Sequence, residues 1–144
     1  MKLHSITLEG FWGYRESVTV EIDGIPLLVA VGHNGSGKSA LIVSAVLAGL
    51  YGKFPTNTIP ESITHGATEG HVMVEFEVNG TLYRVTRSYP RKGASTAAVF
   101  HWEDDHWKAL TEKGQQEATA KVTELLGMDY DTAITTWVAI QGEY

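Results

Sequence analysis

Residues 32–39 read Gly-His-Asn-Gly-Ser-Gly-Lys-Ser, a full G-x-x-x-x-G-K-[ST] run, and its flanks constrain the fold as much as the run itself. Ahead of it stands the apolar stretch Pro26-Leu27-Leu28-Val29-Ala30-Val31, the length of a buried strand. Behind it Ala40-Leu41-Ile42-Val43-Ser44-Ala45-Val46-Leu47-Ala48 reads as a buried helix. Strand, glycine loop and helix in that order aim backbone N–H groups and the positive end of a helix dipole at one point, the geometry that holds a phosphate. Gly32, Gly35 and Gly37 let the chain curl and bring its amides close to an anion. Lys38 supplies a point charge toward the β- and γ-phosphates, and the Ser39 hydroxyl is suited to ligate Mg²⁺. Asn34 suits a tight turn, and His33 occupies a variable position with no expected catalytic role. A glycine turn that only capped a helix would need neither Lys38 nor Ser39. The expected fold is therefore α/β, built around a phosphate-binding loop.

With 144 residues, of which 43% are apolar, the chain has the material for one domain with a real core. It holds no cysteine, which excludes disulfides and cysteine-based zinc or redox sites. The opening Met1-Lys2-Leu3-His4-Ser5-Ile6-Thr7-Leu8-Glu9 lacks a signal-peptide core, and no apolar run approaches the ~20 residues of a membrane span. A soluble, cytoplasmic protein with no membrane contact is expected. The formal charge of −6 argues against bulk electrostatic binding of nucleic acid. One basic cluster stands against that balance: Arg84, Arg87, Arg91 and Lys92 with Tyr83 and Tyr89. Arg84 and Arg87 would point to opposite faces of a strand, so the cluster reads either as a solvated strand end or as a phosphate-backbone contact.

Residues 2–9 read as a strand, and Val18, Val20 and Ile22 alternate with polar neighbours as in a half-buried one. Phe11-Trp12-Gly13-Tyr14-Arg15 between them reads as a turn, and residues 53–70, with Pro55, Pro60, Gly66 and Gly70, as an irregular excursion. The clearest hairpin puts Val72, Val74, Phe76 and Val78 on one face, turns at Asn79-Gly80 and returns from Thr81 to about Tyr89. A loop over residues 90–95 leads to a second hairpin, Ala97–Trp102 and His106–Leu110, around Glu103-Asp104-Asp105. His101 and His106 flank those carboxylates, but no ligand set recurs at fixed spacing, so an acidic turn is expected and not a metal site. Trp102, Trp107 and Trp137 read as core or lobe-interface residues and not as base-stacking platforms. A helix is expected from about Gly114 to Leu126 with Gly127 as its stop, then a short helix holding Ala133, Ile134, Trp137 and Val138.

A self-sufficient enzyme of this class also needs an apolar strand ending in an acidic Mg²⁺ ligand. The nearest candidate, Val72-Met73-Val74-Glu75, sits inside the alternating hairpin strand, and there is no Asn-Lys-x-Asp guanine signature. The chain has the composition of half an active site. Asn34-Gly35-Ser36-Gly37-Lys38-Ser39, the Met1-to-Phe11 opening, the Val72-to-Arg87 hairpin and the ending Ile140-Gln141-Gly142-Glu143-Tyr144 together resemble the SbcC-type, SMC-like ATPase of the double-strand-break repair exonuclease. The resemblance covers essentially the whole chain. It implies a P-loop NTPase fold, the N-terminal lobe of an ABC-type ATPase head, with a mixed sheet and antiparallel hairpins.

By that resemblance residues 1–144 are the ATP-binding lobe, while the coiled coil and the C-terminal lobe, with the signature motif, the Mg²⁺-binding Asp and the catalytic Glu, are absent. The implied cofactors are ATP and Mg²⁺. Asn34, Gly35, Ser36, Gly37, Lys38, Ser39 and Ala40, with Gly32, would hold the phosphates, with Lys38 catalytic and Ser39 a metal ligand. Gln141 matches the glutamine that touches Mg²⁺ and the attacking water. Ile63, Thr64 and His65 match the segment beside the base and ribose. The implied partners are the C-terminal lobe, a second head in a homodimer, an SbcD-type nuclease, and DNA through the assembled complex. Where several family members carry a basic phosphate-contacting residue beside Phe11, this chain has Trp12, with Arg15 the nearby cation. A RecF-like or other SMC-like repair ATPase shares Asn34-Gly35 and the opening strand, and a non-hydrolysing nucleotide-gated module is the non-enzyme alternative.

Overall fold

The computed structural model describes residues 1–24, 31–33, 40–54 and 58–136. Residues 26–30 of the expected strand, Asn34–Ser39, Trp137 and Gln141 lie outside the described residues. Six strands form one sheet in the order β2-β1-β3-β4-β5-β6, and every described pairing is antiparallel. They are β1 (Lys2–Glu9), β2 (Val18–Glu21), β3 (Glu69–Val78), β4 (Thr81–Pro90), β5 (Thr96–Glu103) and β6 (His106–Ala109).

The helices follow the local chemistry. Ala40–Ser44 is wound as a π-helical turn and runs on into α1 (Ala45–Tyr51). The expected irregular segment contains a short helix, α2 (Ile59–Ser62). The Glu61 carboxylate accepts from both the N–H and the hydroxyl of Thr58, closing a capping box, and Pro60 sits in the first turn, where its missing N–H costs nothing. Pro60 therefore starts a helix where the sequence alone suggests a breaker. α3 (Gln115–Leu126) ends as expected at Gly127, whose left-handed backbone lets its N–H reach the Thr123 carbonyl. α4 (Tyr130–Thr136) begins with the Thr132 N–H donating to the Asp129 carboxylate.

The β3–β4 hairpin forms in the expected register, with Val78 opposite Thr81 and both Asn79 (φ 51°) and Gly80 (φ 80°) left-handed, as a tight two-residue turn requires. The second hairpin turns on Asp104 and Asp105, and Glu103 pairs with His106 inside the ladder. Alternation along the strands gives the sheet two unlike faces. Ile6, Leu8, Val72, Val74, Phe76, Val85 and Val99 are buried under α1 and α3. Gly49 permits that closeness, because a Cβ there would stand 2.4 Å from a Val74 methyl. The opposite face carries Thr7, Met73, Glu75, Arg84, Thr86 and Phe100.

Candidate functional site

Two chain segments are stitched together at the end of β1. Gly10 turns the chain with φ +72°, and its N–H donates to the Tyr14 carbonyl. Its own carbonyl accepts the Thr64 N–H at 2.7 Å, while the Trp12 N–H donates to the Ser62 carbonyl at 2.9 Å. The Gly13 N–H completes the seam on the Thr64 hydroxyl. Beneath it Phe11 is fully buried, bridges Ile63, and packs with Trp12, Phe54 and Tyr89 at ring separations of 5.3–6.0 Å.

Arg91 fixes the segment from the other side. Its guanidinium donates to the carbonyls of Ile63, Thr64 and Ala67, and its N–H to that of Thr68. Arg15 lies over Gly66, where an added Cβ would stand 3.4 Å from its Nη1. Residues 63–67 are thus bracketed by two guanidinium groups. Of the three residues expected beside a base and ribose, Ile63 and Thr64 turn their side chains into the protein and His65 presents its imidazole to solvent.

Of the expected phosphate-binding residues the structure describes Gly32, which is exposed, and the backbone of Ala40, where the helical turn begins. Asn34, Gly35, Ser36, Gly37, Lys38 and Ser39, like Gln141, lie outside the described residues. The helix that follows them is anchored at its far end by an interaction that sequence reasoning missed. Arg87 is 2% exposed, which excludes both a solvated strand end and a contact to a phosphate backbone. Its Nε donates to the Gly49 carbonyl at 2.7 Å and its Nη2 to the Leu50 carbonyl and the Thr119 hydroxyl, both at 2.9 Å. Its Nη1 reaches the Gln115 side-chain oxygen at 2.7 Å. Among the described residues its hydrogen-bond acceptors are all neutral oxygens. The Gly49 and Leu50 carbonyls, at the end of α1, turn the partial negative charge of its dipole toward the guanidinium. Burial lowers the Arg87 pKa from its ordinary value and the neighbouring Tyr89 opposes that shift, yet a guanidinium starts so high that it keeps its proton.

Glu75 and Arg84 are engaged in structural contacts. Glu75, the nearest candidate for an acidic metal ligand, accepts from Arg84 and from the Ser5 hydroxyl on the open face of the sheet. Arg84 in turn lies 4.1 Å over the Trp107 ring, and Trp107 meets Trp102 edge-on, so both tryptophans belong to that open face and not to the core. Glu103-Asp104-Asp105 forms the expected acidic turn, with Asp104 and Asp105 both left-handed. Ser88, His71 and Glu69 form a hydrogen-bonded row on the same face.

A model for the AAA domain matches residues 5–136, spanning the seam, the loop helix and all of the sheet but the first three residues of β1. The chain belongs to the AAA domain family. Within it the fold is that of an α/β P-loop NTPase, the N-terminal lobe of an ABC-type ATPase head. This AAA domain is 30% identical over 149 aligned positions to the SbcC component of the nuclease SbcCD from Deinococcus radiodurans, a match that takes in 100% of the chain and 16% of that relative. To the DNA double-strand break repair Rad50 ATPase of Sulfolobus acidocaldarius it is 31% identical over 147 positions, covering 99% of the chain and 16% of the relative. To that of Methanocaldococcus jannaschii it is 32% identical over 117 positions, covering 81% and 11%. The chain thus spans about a sixth of the length of the first two relatives. No helix among the described residues is long and apolar enough to cross a membrane.

Proposed function

We propose that this AAA domain binds Mg·ATP as the N-terminal lobe of a repair ATPase head and hydrolyses it once a C-terminal lobe and a second head complete the site. The observation that carries the reading is the continuity of the Gly32–Ser39 run with the helix that follows it. That helix packs on β1, β3 and β4 and is fixed at its end by Arg87. In this reading the amides of Gly32 and of Asn34 to Ala40 cradle the phosphates, Lys38 neutralises the β- and γ-oxygens, and Ser39 and Gln141 hold Mg²⁺. Gln141 also orients the attacking water. Ile63, Thr64 and His65 border the base and ribose. Arg15, held over Gly66 beside His65, is the cation suited to take the place of the basic residue missing at Trp12. The assembled protein would work with an SbcD-type nuclease on DNA ends, in the cytoplasm.

Removing the Lys38 charge is expected to cost about 1.5–3 kcal/mol of charge-assisted bonding, so Lys38→Ala should weaken ATP binding roughly 10- to 100-fold. Calorimetric titration checks this, and an unchanged affinity would refute the phosphate site.

The chain supplies Lys38, Ser39 and Gln141 but no acidic metal ligand and no general base, and phosphoryl transfer to water needs both a positioned nucleophile and a neutralised γ-phosphate. The chain alone should therefore bind Mg·ATP with negligible turnover. Steady-state phosphate release is the measurement. Lys38-dependent turnover without a partner would mean that the site is complete in these residues. Negligible turnover even with a C-terminal lobe would favour a nucleotide-gated binding module.

A further inference from the structure

A buried charge ordinarily lies against an opposite one, yet among the described residues no carboxylate pairs with the Arg87 guanidinium. Its Nη1 lies against Gly52, where an added Cβ would stand 2.8 Å from it. Arg87 and Gly52 both border a cavity of about 520 Å³ between the end of α1, the start of α2 and the first turns of α3. Lys53 brings a second cation to its wall, and none of the described residues that border it is acidic. Ser95 and Gln116 add a hydroxyl and a carboxamide, while Ile59 and Tyr89 bring apolar surface. Burial raises the Tyr89 pKa, with Arg87 opposing the shift, so the phenol keeps its proton and supplies no countercharge. Asp129 lies within electrostatic range of Lys53, but it caps α4 through Thr132 and does not border the cavity. The cavity is thus cationic in a chain whose formal charge is −6.

We propose that this cavity binds a phosphate monoester that carries a small aromatic or aliphatic body. The phosphate lies between Lys53 and the Nη1 end of Arg87, with Ser95 and Gln116 as hydrogen-bond donors. Arg87 acts through its charge, because its N–H groups are already engaged, and that attraction is stronger where water is excluded. Two cations match a dianion better than they match a single carboxylate. The body of the ligand lies along Ile59 and Tyr89, in a volume of the size that small-molecule sites use. The inference does not depend on the ATP-binding reading.

The test is a titration with phenyl phosphate, followed by backbone amide NMR shifts of the purified chain. It is run on Lys38→Ala, so that phosphate capture by residues 32–39 does not compete. Shifts at Gly52, Lys53, Gln116 and Thr119 should saturate together with one dissociation constant. Lys53→Gln should weaken binding about 2- to 5-fold, the span of one exposed ion pair. Gln116→Glu, which puts a carboxylate on the cavity wall, should weaken it by about 5-fold or more. Lys121→Gln removes a charge from the same helix outside the cavity and should leave affinity within about 2-fold. Inorganic phosphate should bind at least about 5-fold more weakly, because it leaves the apolar wall uncovered. Phenyl phosphate that leaves those four amides unmoved overturns the proposal, as does unchanged affinity in both Lys53→Gln and Gln116→Glu. A loss in Lys121→Gln equal to that in Lys53→Gln would mean bulk charge and no site. Equal affinity for inorganic phosphate overturns the monoester assignment.

Discussion

Replacing Arg87 with methionine should cost the fold about 3–5 kcal/mol, because the loss of its guanidinium leaves the Gly49 and Leu50 carbonyls buried without donors. Methionine fills much of the same volume, so the deficit is polar and not a cavity. Lysine offers one compact ammonium in place of a planar fork, and it cannot meet both carbonyls, Thr119 and Gln115 at once. Arg87→Lys should therefore fall between wild type and Arg87→Met. Urea unfolding monitored by tryptophan fluorescence gives both values. A loss below about 1 kcal/mol for Arg87→Met would show that water takes over the carbonyls and that the buried fork is dispensable.

Gly10→Ala should cost roughly 2–5 kcal/mol, combining left-handed backbone strain with overpacking. The added methyl would stand 2.1 Å from the Glu69 carbonyl oxygen, and backbone on both sides would have to part. Gly13→Ala is the matched control. Its φ of +88° carries similar strain, but nothing lies within 4 Å of the new methyl, so it should cost only about 1–2 kcal/mol. Because the Gly10 carbonyl holds the Thr64 N–H, the larger change should also loosen residues 62–67, detected as faster amide exchange there. Equal losses for the two variants would rule out the steric account.

The elements legible in the sequence are those whose causes are local. The β3–β4 hairpin rests on strict alternation and on Asn79-Gly80, and α3 on its apolar spacing and Gly127; all of these act within a few residues. Arg87 was illegible because its partners Gly49, Leu50, Gln115 and Thr119 are far away in the chain, and two of them act only through backbone carbonyls that every residue type carries. The seam between Gly10–Gly13 and Ser62–Thr64 is mostly main chain as well, so composition could not announce it. The phosphate-binding run is the opposite case. Its chemistry demands particular side chains at particular spacing, and it is read directly. The capping box of Thr58 and Glu61 is local as well, but a stretch rich in proline and glycine reads as irregular even where Pro60 fits the first turn of a helix.

The placement of β1 between β2 and β3 has a consequence for how the chain is made. The Ser5 hydroxyl bonds to a carboxylate 70 positions later, so β1 cannot gain its inner neighbour until that whole intervening stretch has been made. In the interval β1 has the short β2 beside it and the helix ending in α1 to pack on. Pairing of β1 with β3 thus has a long loop to close before the reward of pairing arrives. A tag or fusion joined at Met1 attaches to a strand in the interior of the sheet, next to this long-range pairing.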